Sequence, residues 1–295
     1  MISIVICSIN NLFLEQVKSS ISETIGTEYE LLVWDNLNEG LGICEVYNKM
    51  AKKANYDYLC FIHEDILFET QDWGKKICSV FENNQEVGVI GLAGSKYKSL
   101  CYSGWYTGIK DFDCVNITHR IDGIDKKLFG PVNHKNFEDV VCIDGVFICC
   151  RTSLWEKNRF DEKNLAGFHF YDIDFSIKAF LISKVIVFYE VDVVHITKGG
   201  DFGDKWLKTA FEYHKRVSNI LPKSVSKKIP SNVEKRIKKV WLDILKSQKI
   251  KLRNRFSWIL DQNLIINPYY YYSIVKFFLY RFLRLEKLHN FIRKV

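Results

Sequence analysis

No Cys-x-x-Cys pair occurs among the nine cysteines, which removes the common zinc and dithiol motifs. Their odd number and their placement in apolar runs point instead to buried free thiols in a reducing, cytoplasmic setting. The opening MISIVICSINN has neither a basic stretch nor a cleavage site, and its apolar part is strand-length, so no signal peptide is expected. A spanning helix is missing as well. The most apolar stretch, 269–283, is interrupted by Lys276 and Arg281 and falls short of the ~20 apolar residues that a bilayer requires. Internal repeats and low-complexity tracts are absent.

What is present is a core. Of 295 residues, 47% are hydrophobic and 15% aromatic, enough for one large globular unit or two small ones. Charge is split along the chain. From Pro222 onward there are 18 Lys+Arg against 4 Asp+Glu, a net of +14, whereas the whole chain is +7, so residues 1–221 carry −7. The basic tail is therefore a different kind of segment.

SIVICS (3–8), ELLVW (30–34), YLCFI (58–62) and VGVIG (87–91) are short β-branched runs at βαβ spacing, the signature of buried parallel strands in an α/β domain. Between the second and third lies a helix, because Ile43, Val46, Tyr47, Met50, Ala51 and Ala54 recur every three or four residues. Residues 96–138 lack sustained periodicity and read as irregular loops or short antiparallel strands. A second apolar block, 140–150, precedes a helix over 171–182 and a strand over 185–189, followed by a turn at 195–200.

Open α/β sheets bind ligands at the carboxyl ends of their strands, and acidic residues sit there. Asp35 follows ELLVW, His63-Glu64-Asp65 follows YLCFI, Asp144 interrupts the 140–150 block, and Asp172 and Asp174 open the 171–182 helix. Taken singly, each is as readily a turn former or a helix cap. Glu64-Asp65 is harder to set aside, since adjacent carboxylates repel unless a cation or donors compensate. His195 alone would suit a backbone-bonded neutral ring, but the Thr-Lys-Gly-Gly that follows it suits a mobile loop closing over phosphate through Lys198.

The order of these motifs resembles that of family 2 glycosyltransferases with the GT-A fold, over roughly residues 1–200. The resemblance implies that SIVICSINN supplies a donor-binding loop with Ser8 and Asn10, that Asp35 contacts the nucleobase or ribose, and that the helix before the third strand contributes Asn48. It aligns His63-Glu64-Asp65 with the metal-binding Asp-x-Asp motif. His63 replaces the first Asp, and Asp65 keeps the position that coordinates Mg²⁺ or Mn²⁺ on the diphosphate. Such His-Glu-Asp variants are similar to domains from aminoglycoside and surface-polysaccharide pathways. Farther on, Gly145, Arg151, Phe160-Asp161-Glu162 and Asp172 fall in the family's order, with Tyr171 in place of a usual Glu. The resemblance makes Asp172 the general base of an inverting transfer and His195 a further metal ligand, with His63, Glu64, Asp144, Gly145 and Lys198 near the nucleotide sugar.

The reading is thus a catalytic domain over 1–220 that moves a sugar from a nucleoside-diphosphate donor to a saccharide or lipid-linked acceptor, plus a helical extension over 221–295. In that extension Val233, Ile237, Val240, Trp241, Ile244 and Leu245 share one helical face, ringed by lysines and Arg236. It fits a packed cap or an interfacial contact with the inner face of a membrane. No motif supports nucleic-acid binding. Two rivals remain. A sugar nucleotidyltransferase would carry a Gly-rich, basic loop after its first strand, which CSINN is not. An inactive, membrane-associated scaffold on this fold would fit the lost first Asp and the lost Glu.

Overall fold

The computed structural model describes residues 1–128, 135–197, 200 and 202–282. The first part alternates strands and helices: β1 (Ile2–Ser8), α1 (Asn11–Thr24), β2 (Tyr29–Asp35), α2 (Ile43–Ala51), β3 (Tyr58–Ile62), β4 (Ile66–Phe68), α3 (Trp73–Asn83) and β5 (Val87–Gly91). A run of short strands follows: β6 (Ala93–Ser95), β7 (Tyr97–Lys98), β8 (Asp113–Val115), β9 (Ile117–Ile121), β10 (Ile124–Leu128), β11 (Phe137–Val140), β12 (Cys142–Ile143) and β13 (Phe147–Arg151). Then come α4 (Thr152–Lys157), α5 (Tyr171–Phe180), β14 (Lys184–Phe188), β15 (Val193–Ile196), α6 (Asp204–Arg216), β16 (Lys223–Ser224), α7 (Val233–Leu245), α8 (Leu252–Asp261) and α9 (Tyr271–Phe282).

A seven-stranded sheet ordered β11-β14-β5-β13-β3-β1-β2 forms the centre. β1 runs parallel to β2 and β3, and β14 parallel to β5, while β13 is antiparallel to both its neighbours. Strand alternation sends side chains to two cores. Ile4 and Ile6 pack with Leu14, Val17, Trp73 and Ile77 of α1 and α3, while Val5, Leu59 and Phe61 pack with Tyr47 and Met50 of α2 and with Phe175 of α5. Because both faces are covered, the central strands read as unbroken apolar runs rather than alternating ones.

The apolar block 140–150 spans the end of β11, all of β12 and most of β13; Asp144 accepts a hydrogen bond from the Val146 amide (2.9 Å) and turns the chain between β12 and β13. The stretch 96–138 holds β7 to β10 and the start of β11, the expected short antiparallel strands. One feature differs from the sequence reading. The expected turn at 195–200 begins with His195 and Ile196 still inside β15; a second, four-stranded sheet ordered β10-β9-β15-β4 holds them. All nine cysteines are free thiols, eight of them buried.

The basic tail is packed onto the catalytic part. Val233, Ile237, Trp241, Leu242 and Leu245 of α7 belong to the same core cluster as Tyr97, Cys101 and Tyr171. Glu234 accepts from the Tyr97 and Ser99 hydroxyls (both 2.7 Å) and from the Leu100 amide (3.1 Å). Arg255 is buried and donates to the carbonyls of Lys246, Gln248, Ile250 and Phe277, so its buried charge is met by carbonyls of the α7–α8 connection and of α9. The last part of the extension, 283–295, lies outside the described residues.

Candidate active site

β3 sits between β1, which continues past its end to Ser8, and β13, which begins level with it at Phe147, so the residues leaving its carboxyl terminus emerge between β1 and the loop that leads into β13. His63, Glu64 and Asp65 leave there in the turn between β3 and β4, and their side chains diverge. Glu64 turns back to the start of α1, where it accepts from the Ser8 hydroxyl (2.5 Å) and from the amides of Ile9 (3.2 Å) and Asn10 (3.1 Å). A carboxylate there is favoured by the open amides of a helix start. The mutual repulsion expected of Glu64 and Asp65 is thus relieved by divergence and by three donors, without a cation at Glu64.

Asp65 faces the other way. Its carbonyl accepts from the Ile196 amide (2.8 Å), which seats β15 alongside and brings His195 Nε2 to 3.3 Å from Asp65 Oδ2. His63 Nδ1 lies 3.9 Å from Asp65 Oδ1. Suitable ligand atoms of His63, Asp65 and His195 all fall within 4.8 Å of one another. Asp65 Oδ1 and His195 Nδ1 are buried without a hydrogen-bond partner, a costly state that a coordinated cation would relieve. Two imidazoles and one carboxylate are a donor set suited to a divalent ion.

The hydrogen-bond network fixes the His63 tautomer. The Tyr171 hydroxyl donates its single proton to the Gly145 carbonyl (3.2 Å), so it must accept from His63 Nε2–H (2.8 Å). That leaves the Nδ1 lone pair on the Asp65 side, as a metal-ligating ring needs. Burial lowers the His63 pKa, which keeps the ring neutral. At Gly145 a Cβ would collide with the Tyr171 hydroxyl, so the glycine is required by this contact. Burial opposes charge on both Asp65 and His195, yet each favours its charged form because the other stands beside it.

These groups open into a cavity of about 630 Å³ lined also by Asp144, Asp172 and His119 and by Trp105, Tyr106, Phe168, Phe170, Trp206 and Trp241. Asp172 stands in the first turn of α5, and burial, followed by the nearby Asp144 charge, pushes its pKa up to about 7. Phe170, one residue before that helix, holds a φ of 69°, a left-handed conformation that costs roughly 1–2 kcal/mol in a non-glycine residue. It is kept there by packing on Trp206 and Tyr213 and sets the angle at which Asp172 enters the cavity. Asp174 points elsewhere: it is buried and pairs with Lys178 (2.6 Å) and Arg216 (3.5 Å).

Of the residues singled out from sequence, His63, Asp65, Asp144, Gly145, Asp172 and His195 line this one cavity. Others do not. Asn10 caps α1 through the amides of Leu12 and Phe13. Ser8 is occupied by Glu64. Asn48, expected beside the donor, is buried in α2 and holds the loop at 160–162 through Phe160 and Glu162. Asp35 is exposed at the end of β2, its carboxylate accepting only from the Leu37 amide within its own turn. Lys198 lies outside the described residues. Sequence reasoning missed Tyr171 as a partner of His63, treating it as a lost Glu, and missed His119, whose β9 position pairs in register with His195. It also missed Trp105, whose indole donates to Asp144 (2.6 Å), and the tail residues Trp241 and Ile244, which form one wall.

The large mixed sheet flanked by helices is the GT-A architecture of nucleotide-sugar glycosyltransferases. The fold is similar to that of S. aureus TarS residues 1–349 (TM-score 0.52, 14% identity, covering 88% of this chain and 77% of that one). It is also similar to GalNAc-T7, solved with UDP, GalNAc and Mn²⁺ (TM-score 0.51, 12% identity, 80% and 53% covered). Residues 3–216 match the model of the family described as glycosyltransferase like, and the chain belongs to that family. It is a glycosyltransferase. No curated protein matches its sequence.

Proposed function

We propose that the protein transfers a sugar from a nucleoside-diphosphate donor to an acceptor hydroxyl with inversion, using Mn²⁺ or Mg²⁺ held by Asp65, His195 and His63. The observation that carries this reading is that the three ligand-competent groups and Asp172 open into one cavity. Further support comes from GalNAc-T7, a protein of similar fold whose structure contains UDP, GalNAc and Mn²⁺. The cation, when bound, supplies the charge that offsets the departing diphosphate.

The chain's own residues do the rest. Asp172 accepts the proton of the acceptor hydroxyl as the acceptor oxygen bonds to the anomeric carbon and the bond to the diphosphate oxygen breaks on the opposite face. Asp144, fixed by Trp105, and Gly145 shape the sugar subsite, while Asp35, with its exposed carboxylate, meets the nucleobase or ribose. Ser8, Asn10 and Glu64 act on the donor indirectly, by holding the loop between β1 and α1. The aromatic walls, one of them supplied by α7, make a saccharide or lipid-linked acceptor the fitting class, in the setting of surface-glycan synthesis.

The test is calorimetric titration of UDP, GDP, CDP and TDP with and without Mn²⁺. Binding of one nucleotide that requires the metal, and is abolished in Asp65→Ala, is the expected result. Equal affinity without metal or without Asp65 would remove the metal role.

A further inference from the structure

Large apolar side chains are exposed in one short stretch to an unusual degree. Between Ile265 and Tyr272, Ile265 (49%), Ile266 (82%), Tyr269 (40%), Tyr271 (49%) and Tyr272 (70%) all face solvent. The stretch is the turn between α8 and α9 together with the start of α9, anchored beneath by the buried Leu264 and Tyr270. Scattered exposed leucines or isoleucines are ordinary on a protein surface; five in eight consecutive residues are not.

The chemistry around this corner is cationic. Lys235 and Lys239 of α7 reach over the Tyr269 ring at 4.0 and 5.4 Å, and Lys276 lies over Tyr272 at 4.3 Å. No aspartate or glutamate occurs from Gln262 to Phe282. An exposed isoleucine pair, exposed tyrosines and three lysines, with the exposed Asp243 of α7 paired to Lys246, is the pattern that suits the boundary between lipid headgroups and acyl chains. A protein partner with an acidic face would match the lysines but would leave the exposure of Ile265 and Ile266 unexplained. No helix among the described residues is long and apolar enough to cross a membrane, so the contact is interfacial.

We propose that the corner formed by the α8–α9 turn, the start of α9 and the outer face of α7 docks on an anionic lipid surface. Ile265 and Ile266 insert at the headgroup boundary, and Lys235, Lys239 and Lys276 contact lipid phosphates. The inner face of the same α7 carries Trp241 and Ile244, which line the catalytic cavity, so docking sets the cavity wall one helix away from the bilayer. The docking is independent of the donor and metal assignments, and its failure leaves them intact.

The full chain is floated with vesicles of phosphatidylcholine alone or mixed with phosphatidylglycerol, at low and high salt. Flotation that requires phosphatidylglycerol, weakens with salt, and falls about tenfold or more in an Ile265→Ser/Ile266→Ser/Tyr272→Ser variant is the expected result. Circular dichroism and metal-dependent nucleotide binding of that variant should match the parent. The proposal is overturned by a folded parent that does not float. It is equally overturned by flotation that the substitutions leave unchanged, or by a parent dimer in sedimentation that the substitutions dissolve without any vesicle binding.

Discussion

At the scale of residues, the site depends on which way each carboxylate points. Asp172, with a pKa raised to about 7 by burial, is protonated below neutrality and ionised above it, so kcat/KM for the acceptor should rise with pH through about 7. Asp172→Asn should remove that limb and lower kcat by about 10²–10⁴-fold while nucleotide affinity stays unchanged; a mutant with normal turnover would refute the base role. Tyr171→Phe takes away the acceptor that fixes His63, and Mn²⁺ affinity should fall about 10–100-fold, read by titration of Mn²⁺ against the nucleotide complex. If affinity is unchanged, the tautomer is set by something else. Asp65 and Asp172 were legible as cavity residues because one follows a clear strand and the other opens a clear helix, whereas His195, expected after a strand, stands inside β15. The sequence hid the role of Tyr171, since a hydroxyl that bonds His63 from 108 residues away leaves no local pattern. It gave no sign that Glu64 bonds to Ser8 and to the Asn10 amide, 56 and 54 residues away.

At the scale of elements, YLCFI and VGVIG coincide with β3 and β5 because strands buried on both faces are apolar throughout. The block at 140–150 is divided twice, at Val141 between β11 and β12 and by the Asx turn at Asp144 between β12 and β13. That turn presents Gly145 to Tyr171. Gly145→Ala should push the Tyr171 hydroxyl off its carbonyl partner, costing on the order of 1–3 kcal/mol in thermal stability. It should weaken Mn²⁺ binding alongside; weakened stability with intact metal affinity would separate packing from ligand orientation. His119 needed the pairing of β9 with β15, a parallel ladder between segments some 76 residues apart, which sequence periodicity cannot supply.

At the scale of the whole molecule, charge suggested two units, −7 and +14, whereas packing joins them. Lysines and arginines can ring a helix whose apolar face is fully used, so the charge split described the surface and said nothing of the core. Removing everything after Leu221 should therefore do more than delete an appendage. It exposes Tyr97 and Cys101, strips one wall from the cavity and should yield a chain that aggregates or unfolds without a cooperative transition, checked by calorimetry. A truncated chain that melts cooperatively and binds nucleotide would restore the two-unit view.

Trp206 and Trp241 stack with their rings 5.2 Å apart and only 2° from parallel, one indole from each side of that junction. Two transition dipoles so close behave as a single coupled chromophore. The protein thus carries its own optical gauge: an acceptor that enters the cavity and tilts either ring should change the strength of that coupling, read by ultraviolet circular dichroism without a label and without turnover.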